Sequence, residues 1–130
     1  MRVAICVDMS GSVPEACLRS VVKFLEEAKK LIDGYVVCFT TQIEMKCNLA
    51  DLEPTSILQV SRGGTDYKCL SFHTKDNFAI IISDGMGQPS EFDMVDRNLM
   101  LVNPVSIADP KRLAICVSLL QDILNDHNHG

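Results

Sequence analysis

Two unbroken apolar runs, each leading into an aspartate, constrain this chain more than any other feature. The first, Arg2 to Val7, reaches Asp8; the second, Phe78 to Ile82, is closed by Ser83-Asp84-Gly85. A run without polar alternation is what a strand needs when both of its faces are covered, as in the centre of a parallel sheet. The intervening chain agrees. After the polar turn Met9-Ser10-Gly11-Ser12, apolar residues recur at Cys17, Leu18, Val21, Phe24, Leu25, Ala28, Leu31 and Ile32, with Glu15, Arg19, Lys23, Glu26, Glu27 and Lys30 opposite. That spacing predicts an amphipathic helix over 13–32, with Ser12 as N-cap, Pro14 in the first turn and Gly34 ending it. A further apolar run, Tyr35 to Phe39, completes a strand–helix–strand unit.

The next segment, Thr41 to Cys47, alternates Ile43, Met45 and Cys47 with Gln42, Glu44 and Lys46, the pattern of an edge strand returning antiparallel to its predecessor. Asn48 to Gln59 reads as a short helix or irregular crossover. Beyond the second long apolar run, a short helix is expected near Glu91 to Arg97 and a strand near Leu99 to Val105. The last helix begins at Asp109 as N-cap, with Pro110 in its first position, and carries Leu113, Cys116, Val117, Leu120, Ile123 and Leu124 inward. Ile115 and Leu119 widen its apolar face, which makes it a candidate surface for a partner or a second copy. The expected fold is α/β: a three-layer, open, mostly parallel sheet flanked by helices on both sides, Rossmann-like, with one antiparallel edge strand. Residues 1–126 form one domain, and 127–130 are expected to fray as a tail, with His127 and His129 solvated rather than ligating.

Composition narrows the function. A chain of 130 residues that is 47% hydrophobic has enough core to fold without disulfide or metal staples. Its 12 Lys+Arg against 17 Asp+Glu, with no basic run, disfavour nucleic acid as a partner. The six cysteines lie mostly in apolar settings, and no CxxC pair occurs. They read as buried free thiols, which suits a reducing cytoplasm. The opening apolar stretch is too short for a signal peptide or a membrane span.

In an open sheet, ligands bind outside the carboxyl ends of the strands where strand order reverses. If both acid-ended strands are central and parallel, Asp8 and Asp84 lie on one edge. The loop after Asp8 presents Ser10 and Ser12, with Gly11 allowing a tight fold, and the loop Arg62-Gly63-Gly64-Thr65-Asp66 brings in the Thr65 hydroxyl. Two carboxylates and three hydroxyls form an all-oxygen set suited to a hard divalent cation, Mg²⁺ first, with Mn²⁺ or Ca²⁺ as alternatives. A position left open in the shell would take a carboxylate from a partner.

Asp8-Met9-Ser10-Gly11-Ser12, Thr65 within Gly63-Gly64-Thr65-Asp66, and Asp84-Gly85 after an apolar strand together resemble the metal-ion-dependent adhesion site of von Willebrand factor A domains. The Gly-Gly-Thr-Asp loop is similar to that of small bacterial and phage A-like domains found beside metallopeptidases. The resemblance implies that Ser10, Ser12 and Thr65 contact the metal directly, and that Asp8 and Asp84 do so directly or through water. The chain departs from those relatives at the end of the second strand, where Phe39-Thr40 stands in place of Phe-Asp. The expectation is a binding module that holds Mg²⁺ and engages the Asp or Glu of a protein partner, with no membrane or nucleic-acid partner, and with pairing of two copies through the last helix as an option.

Two other readings stand beside it. Asp8, Ser10 and Ser12 could simply form an Asx-type turn capping the first helix. A haloacid-dehalogenase-like Mg²⁺ phosphohydrolase would cast Asp8, Thr65, Lys68 and Asp84 as its site residues. That enzyme needs an acid two residues after its nucleophile, and Ser10 cannot move a proton near neutral pH. Zincin, P-loop and serine-hydrolase motifs are absent from the sequence.

Overall fold

β1 (Val3–Asp8) is buried along its whole length and forms the axis of the fold. The computed structural model describes residues 3–70, 78–83, 99–102 and 109–129. β2 (Gly34–Phe39) and β4 (Phe78–Ile82) flank β1, both parallel to it. β5 (Leu99–Val102) lies parallel beside β4, and β3 (Ile43–Asn48) closes the other edge antiparallel to β2. The order is β3-β2-β1-β4-β5, an α/β arrangement with three parallel pairings and one antiparallel pairing. The chain leaves β1 toward β2 on one side and later enters β4 on the other, so strand order reverses between β1 and β4.

Side-chain alternation sorts the strands into two faces. Val3, Ile5 and Val7 of β1, Val36 and Cys38 of β2, and Ile80 and Ile82 of β4 join one core cluster. α1 (Glu15–Leu31) packs Leu18, Val21, Phe24, Leu25 and Ala28 into it. α2 (Pro110–His129) adds Cys116 and Leu120 to the same cluster, so both described helices cover the same face. Burying a side chain such as Phe24 contributes roughly 1.5–3 kcal/mol. The opposite face, with Ala4, Cys6, Val37, Phe39 and Ile81, packs against Tyr67 and Leu70 of a 3-10 turn, Tyr67–Leu70. The short helix expected near Glu91 to Arg97 lies outside the described residues, as does the end of the strand expected to reach Val105.

Two local expectations are corrected. Ser12 does not cap α1: Pro14 occupies the N-cap with extended backbone, and its carbonyl accepts from the N–H groups of Cys17 and Leu18. Gly34 does not end that helix, which closes at Leu31 with the Ile32 N–H bonded to the Ala28 carbonyl. Gly34 instead opens β2, where a Cβ would sit 2.1 Å from the Val3 carbonyl oxygen, so only glycine lets the two strands meet there. The segment 48–59, expected as a short helix or irregular crossover, consists of two 3-10 turns, Leu49–Asp51 and Pro54–Gln59, tied to α1 by the Lys29 ammonium donating to the Leu52 carbonyl at 2.8 Å. The backbone of α2 runs through His129.

The edge strand carries an irregularity that its sequence conceals. Cys38 pairs with Met45 but Phe39 pairs with Ile43, so Glu44 is the extra residue of a bulge. Ile43 consequently packs with the Phe39 face, whereas Met45 and Cys47 pack with the α1 face. The bulge also turns the Glu44 carboxylate to accept from the Thr40 hydroxyl at 2.7 Å.

All six cysteines are free thiols; Cys6, Cys17, Cys38 and Cys116 are buried, and Cys47 and Cys69 are partly so. Burial pushes the Cys38 thiol up to about 12 and the Cys69 thiol up to about 11, and raises Cys6 and Cys116 as well. Thiols with this shift are packing groups at neutral pH, not nucleophiles. Among the described residues no helix is long and apolar enough to cross a membrane.

Candidate metal centre

β1 delivers Asp8 to the carboxyl edge of the sheet, at the point where strand order reverses. Its neighbour Val7 pairs with Ile82, so Asp8 and Ser83 come level on adjacent strands. Asp8 is 1% exposed. One of its carboxylate oxygens accepts from the Ser10 N–H at 2.8 Å, and the other from the Ser83 hydroxyl at 2.7 Å. The Tyr67 hydroxyl stands 2.6 Å from Ser83 Oγ; because Ser83 donates to Asp8, Tyr67 donates to Ser83. Its ring is held by Phe39, with centroids 5.9 Å apart.

No Lys, Arg or His among the described residues forms an ion pair with Asp8. A buried carboxylate without a cationic partner is costly, and neutral donors offset only part of that cost. The hydroxyls beside it are arranged accordingly. Ser10, 3% exposed, and Ser12, exposed, bring their Oγ atoms within 3.0 Å of each other. That close pair of oxygen donors next to a buried carboxylate is the chemistry a hard cation selects.

The second loop is joined to the first by backbone. Ser10 and Gly63 form a parallel bridge, the Gly11 N–H donates to the Gly63 carbonyl at 2.9 Å, and the Gly63 N–H donates to the Met9 carbonyl at 3.3 Å. Gly63 passes so close to Thr40 that a Cβ would lie 3.3 Å from the Thr40 Cβ. Gly11, in contrast, has open space around it and ordinary backbone, so its tight-turn role is not required. Thr65 is half-buried, between the bridged Gly63 and Asp66, whose N–H donates to the Thr40 carbonyl at 3.0 Å. The Asp66 carboxylate accepts from the Lys68 N–H at 2.9 Å and so caps the 3-10 turn that follows.

Arg62 locks the two loops together. Its guanidinium donates to the carbonyls of Met9 at 3.0 Å, Ser10 at 2.7 Å and Val13. These are the carbonyls of the loop that carries Ser10 and Ser12, so the arginine serves the backbone rather than the Asp8 carboxylate.

The structure thus brings together Asp8, Ser10 and Ser12, and ties the loop of Thr65 to them through backbone. Asp84 lies outside the described residues. Three contributors escaped the sequence reading: Ser83, Tyr67 and Arg62. Ser83 had a readable signal, since a polar residue directly after a buried strand must come level with Asp8 if the strands are parallel. Arg62 had a weaker one, a lone cation beside two glycines. Tyr67 had none.

Neither a family model nor a curated protein matches the sequence. The functional reading of the chain rests on the geometry of this edge and on the three-part motif.

Proposed function

We propose that the chain is a metal-dependent protein-binding module of von Willebrand factor A type. Mg²⁺ is held by Asp8, Ser10, Ser12, Thr65 and Asp84, with Mn²⁺ or Ca²⁺ as substitutes, and a partner's Asp or Glu completes the shell. The observation that carries this reading is the buried Asp8 carboxylate, neutral donors on both oxygens, beside the paired hydroxyls of Ser10 and Ser12. A divalent cation there offsets the buried charge, and weak hydroxyl ligands leave it electrophilic toward a further carboxylate. The binding role, the Mg²⁺, the second helical layer over the Tyr67 face and the ligation by Asp84 all belong to this proposal.

The hydroxyl of Ser83 orients Asp8, and Tyr67 orients Ser83, in the manner of outer partners that fix a ligand's direction. Ser12 does not cap the helix, and its hydroxyl lies beside that of Ser10, 3.0 Å away. Calorimetric titration of Mg²⁺ into wild type, Asp8→Ala and Ser12→Ala tests the site: saturable binding by wild type and loss of it in Asp8→Ala are expected. Equal binding by Asp8→Ala overturns it. Mg²⁺-dependent release of phosphate from an aryl phosphate, lost in Asp8→Ala, would instead establish the phosphohydrolase reading.

A further inference from the structure

α2 presents a second surface with an order of its own. Its inward side is spent on the core, through Leu113, Cys116, Val117 and Leu120. On the other side Ile115 is 60% exposed and Leu119 is 50% exposed, the largest apolar exposures among the described residues. Arg112 and Asp122 are exposed too, and neither forms an ion pair with a described residue.

These four residues are not scattered. Arg112, Ile115, Leu119 and Asp122 follow one another at intervals of three, four and three, the spacing of a coiled-coil seam along one stripe of a helix. The stripe is also self-complementary when turned end for end. Ile115 and Leu119 sit at its centre, with the cation three residues before them and the anion three residues after. In an antiparallel pair, Ile115 of one copy meets Leu119 of the other, and Arg112 meets Asp122 at both ends. A parallel pair would instead set Arg112 against Arg112 and Asp122 against Asp122. A surface that matches itself under a two-fold rotation is what an isologous contact requires.

We infer that the outward face of α2 is a dimerisation surface for a second copy of this chain, packed as an antiparallel helix pair. The inference is independent of the metal site. A seam of this length buries less than the ~1,200 Å² of standard stable interfaces, which places it in the weak, transient class.

Sedimentation velocity from about 10 μM to about 1 mM, spanning that weak-interface regime, reads the equilibrium directly. Wild type is expected to pass from monomer to dimer. Ile115→Glu/Leu119→Glu is expected to stay monomeric throughout. Arg112→Glu or Asp122→Arg alone makes both ends of the seam repulsive and weakens the dimer on the order of tenfold. The double exchange restores it, and an equimolar mixture of the two single variants forms the heterodimer in preference to either homodimer. All four substituted positions carry exposed side chains, and circular dichroism melting checks that each variant folds as wild type does. Wild type that remains monomeric at about 1 mM overturns the inference, as does a dimer unchanged by Ile115→Glu/Leu119→Glu. A dimer that tolerates Arg112→Glu without loss overturns the antiparallel arrangement.

Discussion

The carboxyl edge of the sheet and the outward face of α2 both carry side chains that the core does not use, and they are built in opposite ways. At the sheet edge each group is held by another: Tyr67 holds Ser83, Ser83 and the Ser10 N–H hold Asp8, and Arg62 holds the loop. On α2, Ile115, Leu119, Arg112 and Asp122 stand exposed on a helix whose position is set by its other side. The contrast separates two kinds of recognition. A small, hard ligand needs donors fixed before it arrives, because misdirected oxygens lose much of their affinity. A helix-to-helix contact needs only a rigid rod and the right sequence on it.

That contrast can be broken by mutation, because disturbing the first surface must cost stability and disturbing the second must not. Arg62→Ala has the largest expected effect. It removes donors to three carbonyls, and urea unfolding should register a loss of about 2 kcal/mol, moderated by the exposure of the arginine. Mg²⁺ affinity should fall with it, because the loop carrying Ser10 and Ser12 loses its lock. If stability is unchanged, the edge is not held as described.

The core between the two surfaces supplies the next effect. Burial pushes the Cys38 thiol from its ordinary 9.0 up to about 12 in the folded chain. The raised value means that the stability contributed by the neutral thiol is complete below pH 9.0, declines as the unfolded thiol ionises, and is gone once pH passes the folded value. Each such buried thiol contributes a slope of up to about 1.4 kcal/mol per pH unit in that window. Melting measured from neutral pH upward should fall with the same slope in Mg²⁺ and in EDTA. A slope that depends on Mg²⁺ would tie the loss to the site rather than the core.

Tyr67→Phe is gentler. It keeps the ring on Phe39 and removes only the hydroxyl behind Ser83, so about 1 kcal/mol of stability is at stake. Mg²⁺ affinity should drop by up to about tenfold, as for outer partners of metal ligands. Least of all, Ile115→Glu/Leu119→Glu should leave the unfolding free energy within about 0.5 kcal/mol of wild type, since neither side chain supports the core. A larger loss would show that this face is part of the fold.

What could be read in the sequence follows from which forces decided each element. β1, α1, β2 and β4 were legible because burial chose them and burial leaves a periodic trace. The strand ends and their loops were legible for the same reason, and they led to Asp8, Ser10, Ser12 and Thr65. The bulge at Glu44 was not legible, because Ile43-Glu44-Met45 keeps a regular alternation and only the pairing with β2 breaks it. Ser12 was misassigned as the cap because a serine just before a helix commonly fills that place, whereas here Pro14 takes the N-cap itself. Tyr67 reaches Ser83 from far along the chain, a contact created by folding alone.

The central claim is that Asp8 is the anion of a metal centre, and thermal melting of wild type and Asp8→Asn across a Mg²⁺ titration tests it most directly. The substitution keeps the shape and removes the charge. A ligand bound only by the folded state must raise its melting temperature as concentration increases. The account predicts a rise with Mg²⁺ in wild type and none in Asp8→Asn. A wild type indifferent to Mg²⁺, or an equal rise in both proteins, would contradict it.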